Sequence, residues 1–300
     1  RIVEIGDNAE LQQLSTCVQK AQEAQQLFAG AFEIFRSGSF EPIKEFMNSE
    51  EYLAIRDAFM NGTMEYWKGA TYIPVNCDKM KILYADGSYH FFPIDEKLKK
   101  HSYVYDNFKQ LENGQIEYVD DTDVVLSKKG IDVSRFQESI DWKKVADDGV
   151  SYAFIRAGVR GSTEGRMMAD ERFKENMEGA LDNDIQVGAY FFTQAITEEE
   201  AVEEAEFVLD LLEPYDVTYP VVYDLEEVTS KNARTEDLTK EQYTKNCIAF
   251  CETIKKAGYT PMIYGNLKTF LIMLDMSQLE EYHKWFAYYN TPVYFPYEFD

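Results

Sequence analysis

The spacing of apolar positions changes twice along this chain. Leu11, Leu14, Val18, Ala21, Leu27, Phe28, Phe32 and Phe35 recur at helical intervals, with Asn8 as a cap and Gly38 as a stop. A second amphipathic stretch covers residues 40–61, carrying Ile43, Phe46, Met47, Tyr52, Leu53, Ile55 and Phe59, with a break near Ser49. After Gly69 the runs shorten. Residues 81–84 and 89–92 flank Asp86-Gly87, a hairpin signal with a primed turn, and Asn113-Gly114 repeats the signal before Ile116–Val119. Residues 1–127 thus predict a small α+β domain, with the polar stretch 120–129 as a linker.

Beyond Gly130 the rhythm is strand, helix, strand. Residues 130–134, 152–157, 186–192, 220–226, 261–265 and 285–289 are short apolar or aromatic runs suited to buried parallel strands. Helical patterns at 142–148, 168–183, 198–212, 240–257 and 267–274 fall between them. This alternation predicts an α/β fold over 128–300, either a doubly wound sheet or a barrel. No glycine-rich phosphate loop follows any of the runs, which favours a (β/α)8-type barrel of parallel strands.

Composition narrows the chemistry. The chain has 300 residues, 45% of them apolar, enough for a substantial core. Its 30 basic and 54 acidic side chains give a net charge of −24, which repels nucleic acid and excludes it as a partner. No run has the length of a membrane span. The chain opens on Arg1, which leaves room for an export signal or anchor upstream. Cys17, Cys77, Cys247 and Cys251 lack zinc-type spacing with histidine, so neither metal nor cofactor is expected. Cys247 and Cys251, four apart on one helical face, read as buried free thiols. With 21 tyrosines and 20 phenylalanines, the aromatic content suits either a core or sugar-stacking surfaces.

The polar residues of the second part cluster at the carboxyl ends of the predicted strands, the face where barrels assemble their sites. Asp132, Arg156, Tyr190, Asp224, Glu226, Tyr264 and Tyr289 all fall there. In Tyr219-Pro-Val-Val-Tyr-Asp-Leu-Glu226 the two-residue period of a strand puts Asp224 and Glu226 on one face. Two acids sharing a partly dry pocket hold one proton between them, the requirement for an acid and an anion acting together on a glycosidic bond. The plainer reading of such a pair is a solvated strand end. Histidine-dependent triads fare worse, because His283 is the one histidine of this part.

Gly130-Ile-Asp-Val-Ser-Arg-Phe-Gln137, Phe154-Ile-Arg-Ala-Gly158, Gly188-Ala-Tyr-Phe-Phe192, Tyr219–Glu226, Pro261-Met-Ile-Tyr264 and Trp285-Phe-Ala-Tyr-Tyr289 together resemble glycoside hydrolase family 25, the Chalaropsis-type lysozymes. The resemblance runs in order over about 130–300. It implies a modified β/α barrel, a bacterial enzyme acting outside the cell or at its envelope, and cleavage of the β-1,4 bond between N-acetylmuramic acid and N-acetylglucosamine in peptidoglycan strands. It also implies roles. Glu226 matches the general acid/base, Asp224 the second carboxylate, Asp132 the first-strand aspartate and Tyr190 a sugar-contacting tyrosine. Arg156, Tyr264 and Tyr289 lie in matching blocks as further substrate-binding residues. Family members continue past a segment like Pro296–Asp300 into further strands, so the resemblance leads one to expect a longer natural protein. Two alternatives stay open: a hydrolase of another N-acetylhexosamine polymer such as chitin, and a glycan-binding scaffold without turnover.

Overall fold

The computed structural model describes residues 79–83, 89–104, 107–228, 232–289 and 295–300. The helices expected over 8–38 and 40–61, with Cys17 and Cys77, lie outside them. Packing divides the chain into two units, Arg1–Asp95 and Glu96–Asp300. Of the first, the described part is an antiparallel hairpin of β1 (Lys79–Leu83) and β2 (Tyr89–Pro93).

The second unit begins with a small hairpin, β3 (Phe108–Gln110) and β4 (Ile116–Tyr118), turned at Gly114, whose φ of +85° suits glycine. The polar stretch 120–129, read from composition as a linker, lies inside this unit. Asp120 organises it as a tight turn, its Oδ1 accepting from the backbone N–H groups of Thr122 and Val124. Tyr103, Phe108, Tyr118 and Phe299 pack their rings together nearby, and the Tyr103 hydroxyl donates to the Phe299 carbonyl.

The rest is built on a parallel sheet in the order β5 (Gly130–Val133), β6 (Tyr152–Arg160), β8 (Gln186–Phe192), β9 (Val221–Asp224), β10 (Pro261–Gly265), β11 (His283–Phe286). A short antiparallel strand, β7 (Met167–Ala169), joins β6. Helical spacing over 168–183 suggested one helix, yet residues 167–169 pair with Gly158–Arg160 and helix α2 covers only Phe173–Leu181. Gly158 permits this, because a Cβ there would come within 2.5 Å of the Met168 carbonyl oxygen. The remaining helices are α1 (Trp142–Asp147), α3 (Glu198–Leu212) and α4 (Lys240–Lys256). Residues 269–273 form a short π-helical turn where an α-helix was expected. None of the described helices is long and apolar enough to cross a membrane.

Phe154 on β6 stacks on Trp285 of β11 with ring centroids 4.7 Å apart. Four strand spacings would separate them by roughly 19 Å in a flat sheet. The sheet therefore curls into part of a barrel, the modified α/β barrel expected. Phe154, Val222 and Met262 fill its concave face with Tyr152, Tyr190, Tyr219, Tyr264 and Trp285. The convex face carries Phe191 against Phe207 of α3 and Tyr223 against Phe250 of α4. Helix α3 is capped by Thr197, which accepts from the Glu200 N–H, and buries Ala201, Ala205, Val208 and Leu212 as a stripe. In α4, Cys247 and Cys251 are buried free thiols, as their spacing predicted.

Candidate active site

Strand register builds the site. Phe192, Asp224, Tyr264 and Trp285 lie abreast across β8, β9, β10 and β11, while Arg156 and Tyr190 form the row beside Val222. Asp132 lies abreast of Phe154 on the first strand. These rows open at the carboxyl ends of the strands onto a cleft of about 470 Å³. Asp132, Arg156, Tyr190, Asp224, Glu226, Tyr264 and Tyr289 all line it, as do Phe136, Phe192 and residues 285–288.

Two positions differ from the sequence reading in how they reach the cleft. Strand β9 ends at Asp224, so Glu226 is not on a strand face; it stands exposed one residue past the buried Leu225. The chain is gripped at this point. The Asp224 backbone carbonyl accepts from the Thr193 N–H at 3.0 Å, and the Leu225 carbonyl accepts from the Thr269 hydroxyl at 3.2 Å. Beyond it, Glu227 pairs with Lys268. Tyr289 likewise lies beyond β11, 90% exposed at the cleft rim.

The three carboxylates differ sharply in environment. Asp224 is 5% exposed and its Oδ1 has no hydrogen-bond partner. Burial pushes its pKa well up, the charges of Glu226 and Asp132 push further, and Arg156 opposes them. Glu226 faces open cleft, and its pKa is raised by partial desolvation and by Asp132. Asp132 is exposed, yet the protein around it also raises its pKa by desolvation. All three shift toward retaining a proton. Tyr190 and Tyr264 are also pushed up, chiefly by burial, and stay hydroxyl donors. Among the described residues, no group of three or more His, Cys, Asp or Glu side chains could hold a metal ion.

Sequence reasoning missed two residues. Phe136 follows β5 on a short 3-10 turn, is 70% exposed, and lies 5.0 Å from the Arg156 guanidinium. It sat in full view inside the Gly130–Gln137 block. Asp170, whose carboxylate binds Arg156 at 2.6 Å, was hidden in a stretch with helical spacing.

Curled sheet and clustered acids define an α/β-barrel protein with a carboxylate cleft at the carboxyl ends of its strands. Residues 131–295 match the model of glycosyl hydrolases family 25, and the chain belongs to that family. It is 31% identical over 166 residues to the uncharacterized protein YegX of Escherichia coli (strain K12), covering 53% of this chain and 56% of that protein. It is 42% identical over 66 residues to Lysozyme M1 of Streptomyces globisporus, covering 22% of this chain and 21% of that protein. The chain thus spans little more than half the length of YegX. Among solved structures it is similar to the CTP1L endolysin, with 26% identity, coverage of 58% and 56%, and a TM-score of 0.46. The muramidase from Trichobolus zukalii gives 19% identity, coverage of 57% and 82%, and a TM-score of 0.47.

Proposed function

We propose that this chain is a peptidoglycan hydrolase that cleaves the β-1,4 bond between N-acetylmuramic acid and N-acetylglucosamine, acting at the cell wall. Family membership supports the reaction class. The observation that carries the reading is the buried Asp224, its Oδ1 without a donor, opening into the same cleft as Glu226 and Asp132.

In this reading Glu226, open to the cleft and shifted toward its protonated form, donates its proton to the leaving glycosidic oxygen. Asp224 is the second carboxylate. Its carboxylate faces the oxocarbenium-like centre, as a nucleophile or as acceptor of the acetamido N–H when that group closes on the anomeric carbon. Glu226 then takes a proton from the incoming water. Tyr190 and Tyr264 offer hydroxyls, and the exposed rings of Phe136 and Tyr289 offer stacking faces at the two rims of the cleft.

Digestion of purified peptidoglycan and chitin side by side tests this. Mass spectrometry of the products should find new N-acetylmuramic acid reducing ends. Glu226→Gln should slow their release by about 10²–10⁴-fold with the circular dichroism spectrum unchanged. Comparable release from chitin would redirect the substrate assignment, and tight glycan binding without fragments would favour a scaffold.

A further inference from the structure

Among the described residues Arg156 is the one cation lining the acid cleft, and its guanidinium bonds to Asp170 instead of to the cleft acids. Its Nε donates to Asp170 Oδ2 at 2.7 Å, its Nη2 stands 2.6 Å from the same oxygen, and its guanidinium lies 5.0 Å from the Phe136 ring. The Asp170 side chain is fully buried and that of Arg156 is 12% exposed.

Asp170 is itself fastened to three segments. Its Oδ2 accepts from the Arg135 N–H at 3.1 Å just past β5, and its Oδ1 from the Arg172 N–H at 3.0 Å ahead of α2. Its own N–H donates to the Ala157 carbonyl on β6 at 2.9 Å. A guanidinium carries five donors, and Asp224, whose buried Oδ1 has no hydrogen-bond partner, lines the same cleft. The Arg156 guanidinium, which acts on Asp224 only through its charge, is bonded to Asp170.

We propose that Asp170 is a positioning residue: it binds the Arg156 guanidinium and withholds its charge from Asp224, leaving that carboxylate without a counter-ion for the substrate to meet. The proposal rests on the reading of Asp224 and Glu226 as the reacting acids. The surroundings fit it. On the cleft side, Arg156 faces Asp132, Tyr190, Asp224 and Glu226. On the other side, the Arg135 side chain pairs with Glu171 and that of Arg172 with Glu175. Arg160, further along β6, is paired with Glu204. Among the described residues no other cation lines the cleft to replace Arg156. Asp224 feels Arg156 as the weakest of the four influences on its proton, behind burial, Glu226 and Asp132.

Asp170→Asn keeps the shape and an acceptor but releases the charge of Arg156. Asp224 should then titrate lower by about one pH unit, followed by carboxyl ¹³C NMR with Asp224→Asn as the assignment control. The acidic limb of the peptidoglycan pH–rate profile should move down with it. Removing both charges, in Asp170→Asn combined with Arg156→Gln, should return the Asp224 titration to its wild-type position, because the pair is neutral as a unit, and this variant decides the question if Asp170→Asn alone does not fold. An Asp224 titration that stays put in Asp170→Asn, or that rises when both charges are removed, overturns the proposal, as does a profile that only loses height. Absence of turnover in the wild-type protein would instead sink the hydrolase reading. The NMR titration, made without substrate, would still judge Asp170.

Discussion

Replacing Arg160 by leucine should cost about 3–5 kcal/mol, because it strands a carboxylate in the convex-face core. Arg160 is 5% exposed and Glu204 fully buried. The guanidinium donates to Glu204 Oε1 at 2.7 Å, to the carbonyls of Gly165 and Glu200 at 3.0 Å each, and to Glu203 Oε2 at 3.1 Å. Without it, Glu204 keeps the Thr193 hydroxyl at 2.6 Å and the Gln194 N–H at 3.3 Å, too little to solvate a charge. For a unit of about 200 residues the loss corresponds to a fall in Tm of about 10 °C. Its pH dependence is diagnostic. Burial pushes Glu204 up from 4.5 to about 7 even beside Arg160. A raised folded-state value means that the contribution of this group is complete below about pH 4.5 and is lost as pH rises through about 7. Removing the cation pushes Glu204 higher still, so the deficit against wild type should be small near pH 5 and full near pH 8. Arg160→Leu combined with Glu204→Leu should recover most of it, since no charge is then buried. Calorimetry of the wild type and the two variants at both pH values measures this. Equal deficits at the two pH values, or a double variant no better than the single, would refute the reasoning.

Three further outcomes are expected. Asp224→Asn should abolish turnover yet gain stability on the wild type as pH rises, because the raised pKa of Asp224 makes its ionised form a cost to folding; thermal melts from pH 5 to 9 read the sign. Tyr289→Ala should leave Tm unchanged within about 1 °C, the ring being 90% exposed, while titration calorimetry with soluble glycan fragments shows weaker binding. With a net charge of −24 on an anionic wall substrate, the rate should hold or rise as salt increases from about 20 to 200 mM, and a steep fall would point to attractive steering.

Where local pattern and tertiary packing agree, the sequence was legible. Residues 186–192, 198–212 and 261–265 fold as elements with the limits their pattern predicts, because the helix buries a regular stripe and the two strands are buried over most of their length. Legibility failed where a few long-range contacts override spacing. Met168 is apolar and fits a helical repeat, but it is exposed on β7 because Gly158 lets that strand close on β6. Glu226 kept its cleft while losing its strand: the Thr193 and Thr269 contacts to Asp224 and Leu225 end β9 early. Asp170 could not have been found, since a lone aspartate among Met168, Ala169 and Glu171 carries no spacing that pairs it with Arg156, fourteen residues earlier.

A slip in β6 links these failures to the chemistry. Strict alternation would put Arg156 and Arg160, four residues apart, on one face of the sheet. The register shifts between Arg156 and Gly158, so Arg156 lies abreast of Tyr190 on the concave side while Gly158 and Val159 take the rows of Phe191 and Phe192. Arg160 consequently points to the convex side and meets Glu204 on α3. Each arginine is then neutralised by a buried carboxylate outside the cleft, Asp170 for one and Glu204 for the other. An unslipped strand would aim two cations at Asp132, Asp224 and Glu226 and pull their proton affinities down. The surplus of acid in the cleft is set by the backbone register of β6 as much as by the acids themselves.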